Sequence, residues 1–222
     1  MGTSAAEARQ EVLRRIRAAL GRTRPETEVI EGEWEGIDRS YRRRGELEKS
    51  AVLDELEDRL RDYDAHVERV APSDLKEKIA ELLRARGLRT LVVPNGLAQA
   101  LGAELPDGFD FVEDQTFAAP DLDRFEGVIT GCTVAISQTG TLILQDVPGQ
   151  GRRAPTLVPD YHLCVVRAED VVETVPEAMH RLQGTATLAT TFVSGPSATA
   201  DIEMTRIKGV HGPRFLDVVL VV

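Results

Sequence analysis

Apolar residues recur at helical spacing in the first half of the chain, where they predict three helices. The helices span about 4–21, 46–62 and 73–86. Gly21 is expected to end the first helix and Ser73 to cap the third. Alternating apolar residues at 65–70 and an apolar run at 90–93 predict strands on either side of that third helix. This strand–helix–strand order predicts a parallel pair joined by a right-handed crossover.

The second half carries a denser β signal, in which short apolar or β-branched runs alternate with glycine- and proline-rich segments. Two runs lie close enough together to predict a hairpin over about 133–145, and a helix is expected near 176–182. The terminal run is apolar on both faces, which is typical of a central strand. The predicted strands are 109–112, 127–130, 133–137, 141–144, 163–166, 190–193 and 215–222. Together these elements predict an α/β fold with a central, mostly parallel sheet flanked by helices and preceded by a helical extension.

Charge separates a polar N-terminal region from the rest, since 31 of the first 70 residues are Asp, Glu, Lys or Arg. Residues 22–45 read as an irregular polar arm. We therefore predict an N-terminal helix and charged arm over 1–45 and an α/β domain over 46–222. Trp34, the only tryptophan, either packs on a neighbouring surface or anchors a partner. Packing is favoured because tryptophan buries a large area.

Composition and charge exclude several classes of function. With 27 Lys and Arg against 37 Asp and Glu, the net charge is −10, so a nucleic-acid binder, which needs a basic face, is not expected. The N-terminus lacks the apolar core of a signal peptide. The longest apolar stretch is far shorter than the roughly 20 residues of a membrane helix. We therefore expect a cytoplasmic protein that binds no membrane.

Two cysteines, Cys132 and Cys164, limit the metal and redox chemistry. They are too few for a disulfide framework or for the four thiolates that an iron–sulfur cluster usually takes. Their spacing relative to the four histidines fits no zinc pattern. We expect two reduced thiols, no metal site and no cofactor in this chain.

Three polar segments interrupt the apolar half and are the candidates for chemistry. The first, residues 137–141, most simply forms a β-turn in which Gly140 takes a positive φ. The second, residues 148–155, places Arg152 behind two glycines, either as a clamp for an anion or in a solvated loop. It leads to His162 at the entrance of a strand, where a hydrogen-bonded structural role is favoured over that of a ligand or base.

The third segment, residues 192–203, follows a predicted strand with a Gly-Pro turn. We expect Ser197 to cap a short helix or turn that carries Thr199, Asp201 and Glu203. Backbone N–H groups and hydroxyls at such a turn are suited to binding an anion. Ligands of open parallel sheets bind at the carboxyl ends of the strands, where this loop is expected to lie.

A glycine-flanked histidine completes the candidates. The run Gly-Val-His-Gly-Pro at 209–213 implies a tight turn with an accessible His211 imidazole just before the last strand. No segment matches a P-loop or the dinucleotide-binding G-x-G-x-x-G pattern. No Ser-His-Asp triad is indicated either, since the nucleophile elbow G-x-S-x-G is absent from the sequence.

Four motifs, taken in order, resemble the LUD-domain family. They are Thr-Gly-Thr-Leu at 139–142, Leu-Val-Pro-Asp-Tyr-His at 157–162, Ser-Gly-Pro-Ser-Ala-Thr-Ala-Asp-Ile-Glu at 194–203 and Gly-Val-His-Gly-Pro at 209–213. The correspondence is strong over 127–222 and weaker back to about residue 50, and the arm at 22–45 has no place in the family pattern. The resemblance implies a fold like that of ribose-5-phosphate isomerase and the CoA transferases. It also implies a role in oxidising L-lactate to pyruvate beside two larger partners that carry iron–sulfur clusters.

Two hypotheses about function follow from the resemblance. The first is a non-redox accessory subunit of an iron–sulfur complex for L-lactate oxidation. The second is a stand-alone enzyme of the sugar-phosphate isomerase or CoA transferase type, which binds a small anionic ligand. No catalytic residue is assigned, and the motifs are taken to form one shared pocket. Its expected ligand-binding residues are Thr139, Gly140, Thr141, Arg152, His162, Ser194, Gly195, Ser197, Thr199, Asp201, Glu203, His211 and Gly212.

Overall fold

The computed structural model describes residues 5–21, 27–200 and 206–222. The chain divides after Tyr41 into two compact units, and the predicted domain boundary between residues 45 and 46 stays a prediction. None of the helices in the described ranges is long and apolar enough to cross a membrane.

The first unit contains two helices. α1 spans Ala5–Ala19 and is followed by Gly21 at positive φ, as predicted. α2 spans Thr27–Glu35, so the prediction of an irregular arm is wrong there. Glutamates favour a helix, and one interior glycine costs only about 1 kcal/mol. Trp34 is 67% exposed, and within this unit the Arg39 guanidinium lies 4.8 Å from the centre of its ring.

The helices and strands of the second unit follow the predicted alternation. The helices are α3 (Lys49–Asp62), α4 (Leu75–Ala85), α5 (Leu97–Leu101), α6 (Ala119–Leu122) and α7 (Val175–Arg181). The strands are β1 (His66–Val70), β2 (Thr90–Val93), β3 (Asp110–Glu113), β4 (Gly127–Thr130), β5 (Val134–Ile136), β6 (Thr141–Gln145), β7 (Tyr161–Arg167), β8 (Val171–Val172), β9 (Thr190–Val193), β10 (Ala198–Ala200), β11 (Arg206–Lys208) and β12 (Phe215–Val221).

Six parallel strands form the central sheet, in the order β1-β12-β7-β4-β2-β3. The predicted fold class is therefore confirmed. β12 lies between β1 and β7, which explains why its sequence is apolar on both faces. Ile79 and Leu97 of α4 and α5 pack with Leu163 and Val219 on one face of the sheet. Because both faces of the central sheet are covered, a site built from loops can form only at its amino end or its carboxyl end.

A smaller mixed sheet, in the order β8-β5-β6-β9, packs on the other face with α3. β5 and β6 form the predicted hairpin. β9 pairs antiparallel with β6, so it is an edge strand of this second sheet and not a strand of the central one. The expectation that the turn after β9 lies at the carboxyl ends of the central strands is therefore wrong. A hydrophobic pattern predicts a strand but does not say which sheet the strand joins.

Candidate binding pocket

A pocket of about 300 Å³ lies between β9 of the second sheet and the amino ends of two central strands. His162 and Leu216, the second residues of β7 and β12, belong to its lining. The described lining contains one arginine, Arg153, and two histidines but no acidic residue, although the chain as a whole is acidic. Of the predicted site residues, the structure brings together His162, Ser194, Gly195, Ser197, His211 and Gly212.

The turns after β9 and before β12 are hydrogen-bonded to each other. The Ser197 N–H donates to the Pro213 carbonyl over 2.8 Å, and the Gly209 N–H donates to the Ser197 carbonyl over 3.0 Å. The Ser197 hydroxyl accepts from the His211 N–H at 3.1 Å. Ser197 leads into β10. Of the predicted helix or turn, the helix therefore does not form, and the Ser197 hydroxyl holds the turn that presents His211.

The first motif reaches the pocket only through hydroxyl groups. The Thr139 and Thr141 hydroxyls are 2.8 Å apart, and the Thr141 hydroxyl is 2.8 Å from that of Ser194. Thr139, Gly140 and Thr141 are not among the lining residues, so their part is to support Ser194. Gly140 has a φ of 58°, and a Cβ there would lie 2.8 Å from the Arg59 Cβ of α3.

Gly195 holds the pocket turn against the end of α3. Its φ is 87°, in the region that favours glycine. A Cβ at this position would lie 2.6 Å from the Tyr63 Cβ and 2.9 Å from the Tyr63 carbonyl oxygen. The glycine is thus required by both backbone conformation and space, and it fixes where Ser194 and Ser197 stand.

His162 is a buried, neutral polar group at the pocket. Its side chain is 1% exposed, and its Nε2 lies 2.8 Å from the Thr130 hydroxyl. Burial lowers the pKa of His162 to about 4, because the charged ring would lose its hydration. The imidazole therefore offers a hydrogen bond rather than a positive charge. The sequence reasoning missed Thr130, which stands at the end of an apolar strand and two residues beyond Val128, the register partner of His162.

Arg152 is held away from the pocket lining. It donates to the Asp114 carboxylate over 2.6 and 2.9 Å and to the Phe117 carbonyl over 2.7 Å. Partial burial raises the pKa of Asp114, but the bonds from Arg152 and the Phe117 N–H outweigh it, so the pKa lies below its usual value. Arg153, the next residue, is exposed and lines the pocket instead.

The loop that carries Arg152 covers the carboxyl ends of central strands. The Gly149 carbonyl accepts from the Gly131 N–H, just after β4, and its N–H donates to the Asn95 carbonyl, just after β2, each over 2.8 Å. A Cβ on Gly151 would lie 2.9 Å from the Pro94 side chain. This loop therefore covers the usual ligand-binding end of the sheet at β2 and β4, whereas the pocket lies at the opposite, amino end of β7 and β12.

Three predicted site residues fall wholly or partly outside the described residues. Asp201 and Glu203 lie outside them, and of Thr199 only the backbone, in β10, is described.

The two thiols are neighbours inside the protein. Cys132 donates to the Val134 carbonyl over 3.2 Å, and Cys164 donates to the Gly131 carbonyl over 3.6 Å. The neighbouring Cys164 thiol and burial raise the pKa of Cys132 well above its usual value, so this thiol stays protonated. Among the described residues, no group of three or more His, Cys, Asp or Glu side chains is placed to hold a metal ion.

Comparisons with known proteins agree with the motifs. The LUD domain family matches this sequence over residues 53–221. Lactate utilization protein C of Deinococcus radiodurans is 38% identical over 98% of this chain and 97% of its own length. Lactate utilization protein C 1 of Bacillus mycoides is 27% identical over 92% of this chain and 93% of its own. The crystal structure of a DUF162 family protein from Deinococcus radiodurans superposes with a TM-score of 0.68 at 35% identity, covering 80% of this chain and all of that one.

Proposed function

The chain belongs to the LUD domain family, and on that premise we propose that it serves in lactate utilization. One observation carries the proposal: the match to a protein named Lactate utilization protein C extends over 98% of this chain at 38% identity. Such a match includes the pocket turns as well as the scaffold, so it supports a shared role and not only a shared fold.

Within that role we propose a non-redox subunit of a cytoplasmic assembly that oxidises L-lactate to pyruvate, with iron–sulfur clusters held by partner subunits. The presence of only two cysteines supports the placement of the clusters in partner subunits, since a cluster usually takes four thiolates. Both are free thiols, one buried and one partly so, as expected in a reducing compartment. This chain would bind and position other components of the assembly through its pocket and the surfaces around it.

Co-purification tests the proposal directly. The full-length chain, tagged and expressed in its source cells during growth on L-lactate, is isolated, and the eluate is assayed for iron and acid-labile sulfide. We expect cluster-bearing proteins in stoichiometric amounts from lactate-grown cells and not from cells grown without lactate. Elution of the chain alone, together with L-lactate-dependent dye reduction by the purified chain alone, would contradict the proposal.

A second candidate, a stand-alone enzyme that binds a small anion, is favoured by the pocket itself. Arg153, two serine hydroxyls and His211 surround it, and no acidic residue is among its described lining. Thermal unfolding with ribose 5-phosphate, coenzyme A, phosphate and L-lactate tests it. A ligand present at 100 times its Kd stabilises the folded state by about 2.7 kcal/mol. No shift in Tm with any of these probes would count against this candidate.

A further inference from the structure

The open edge of β9 runs along the pocket, and we propose that this edge and the pocket together dock the C-terminal peptide of a partner protein. The peptide would add as a strand to β9 and place its terminal carboxylate at the turn formed by residues 194–197. This inference rests on the proposed function, because it names how a partner subunit would be held.

The lining of the pocket indicates that it faces the backbone of β9. Its lining includes residues 191–193, the last three of β9, and continues through the turn of 194–197 to Ala198, the first residue of β10. Side chains of a strand alternate between its two faces, so consecutive strand residues line one cavity only when the cavity runs along the strand's edge. The pocket is therefore next to main-chain donors and acceptors and not only to side chains.

The register of β9 shows which of these groups are available. The Asp146 N–H donates to the Ala189 carbonyl, so these two residues bond across the ladder, and the bonding alternates along it. Phe192 pairs with Ile143, whose carbonyl accepts from Thr133 on the other side of β6. Phe192 thus belongs to a non-bonded pair, and its N–H and carbonyl point to the open edge. No strand among the described residues pairs with that edge.

The chemistry at the end of β9 fits a carboxylate. Ser194, Arg153 and His211 are among the residues that line the pocket, and the described lining contains no acidic residue. Carboxylates bind best to charged and hydroxyl donors of this kind. The chain has a net charge of −10, yet the described lining carries one arginine and no carboxylate, which is the charge complement of an anionic group.

The remaining lining fits the side chains of a peptide. Leu157 adds an apolar side chain to the lining, and Phe192 is 53% exposed, so apolar surface is open at this edge. Exposed edge strands invite pairing with another chain unless they are protected. The volume of about 300 Å³ is at the lower end of ligand pockets, which suits the last residues of a peptide.

The direction of the docked strand follows from the topology. The turn of 194–197 comes after the carboxyl end of β9, so a peptide whose own carboxyl end reaches it must run parallel to β9. Strand addition together with capture of a terminal carboxylate is a known mode of peptide recognition.

An array of hexapeptides with free C-terminal carboxylates, and the same array with C-terminal amides, tests the proposal with the full-length chain. We expect a subset of the free-acid peptides to bind at least about tenfold more tightly than their amides, since the amide loses its charge-assisted bonds. Equal binding of acids and amides, or binding of neither, would overturn the proposal. So would saturation of the pocket by L-lactate or phosphate without any bound peptide.

Two variants at one position separate the backbone from the side chain. F192P removes an N–H that the pairing with β6 does not use, and proline is tolerated on edge strands, whereas F192A keeps that N–H. We expect F192P to weaken binding of the selected peptide at least about tenfold beyond F192A. The exposed R153A variant gives a second test that leaves β9 intact, and it should also weaken binding of the free acid. F192P and R153A both binding as the parent chain does would contradict the docking mode.

The fates of the two proposals are distinguishable. If cluster-bearing proteins do not co-purify but free-acid peptides bind, the proposed role in lactate oxidation is wrong and the proposed peptide docking at β9 is supported. If the cluster-bearing proteins co-purify and no peptide binds, the proposed peptide docking at β9 is wrong and the proposed role in lactate oxidation is supported.

Discussion

His162 illustrates how burial decides the chemistry of a single residue. A charged imidazole at this position would be a conventional anion ligand, but the side chain is 1% exposed and bonded to the Thr130 hydroxyl. The ring therefore packs in the pocket wall and makes one hydrogen bond. The lining residues that are exposed enough to contact an anion are Arg153 and His211.

The buried ring predicts a specific dependence of stability on pH. Its pKa is about 4 in the folded chain against an ordinary value of 6.5, so the unfolded state binds more protons between these values. The stabilisation is complete above pH 6.5 and is lost as the pH falls through this window, by about 3 kcal/mol at most. An NMR titration of the His162 ring, assigned with H162Q, should give a midpoint near 4. A midpoint near 6.5 would mean that the ring is not buried as described.

Gly195 gives a second prediction at this scale. G195A would place a Cβ 2.6 Å from the Tyr63 Cβ at a φ of 87°. We expect it to lower the free energy of unfolding by about 3 kcal/mol, from strain and overpacking together. Gly184 is the matched control, since nothing lies within 4 Å of a Cβ there, and G184A should change stability by less than about 1 kcal/mol. Equal urea midpoints for the two variants would contradict the packing of the turn on α3.

At the scale of elements, the loop over the carboxyl ends of the sheet depends on Arg152. R152A leaves the Asp114 carboxylate, whose side chain is 9% exposed, without its main partner. We expect a loss of about 2 kcal/mol in unfolding free energy, because a largely buried carboxylate is left unpaired. R153A, at the adjacent exposed position, should cost less than about 0.5 kcal/mol. Two variants of similar stability in chemical denaturation would show that the loop is not anchored in this way.

The start of α7 offers a test of helix capping. Thr174 is the N-cap, its hydroxyl accepts from the Glu177 N–H, and the Glu177 carboxylate accepts from the Thr174 N–H. T174A should therefore destabilise the chain by about 1 kcal/mol. Ser73 is the control: the sequence predicts it as a cap, but Asp74 is the N-cap of α4, and the exposed Ser73 hydroxyl donates to the Asp74 carboxylate instead of accepting from a backbone N–H. S73A should be nearly neutral, and a cost equal to that of T174A would argue against the capping box.

Much of the element pattern follows from the sequence, and the exceptions have physical causes. Hydrophobic periodicity predicts α3, α4 and the central strands because each buries a regular stripe or run. It does not reveal that β9 joins the second sheet, since pairing partners are chosen by tertiary contacts. Nor does it show that Arg152 is bonded to Asp114 whereas the adjacent Arg153 lines the pocket, since the two arginines differ only in their tertiary contacts. The sequence predicts the turns of the candidate site but not Thr130, whose role depends on register.

At the scale of the whole molecule, the site is made by two sheets and not by one. The central sheet supplies His162 and Leu216, the second sheet supplies β9, and the turns around Ser197 and His211 are bonded to each other between them. The usual ligand-binding end of the parallel sheet is covered by the loop of Gly149 and Arg152. The fold class alone predicts a ligand site at the carboxyl ends of the central strands, whereas the candidate pocket lies at the amino ends of β7 and β12.

An add-back assay tests most directly whether this chain acts in lactate oxidation by holding a partner through the open edge of β9 and the pocket beside it. Extracts of source cells that lack the chain are supplied with purified parent chain, F192A or F192P, and L-lactate-dependent dye reduction is measured. We predict restored activity with the parent chain and F192A, less than about a tenth of it with F192P, and none from the parent chain without extract. Full activity in extracts that lack the chain, or dye reduction by the purified chain alone, would contradict the account.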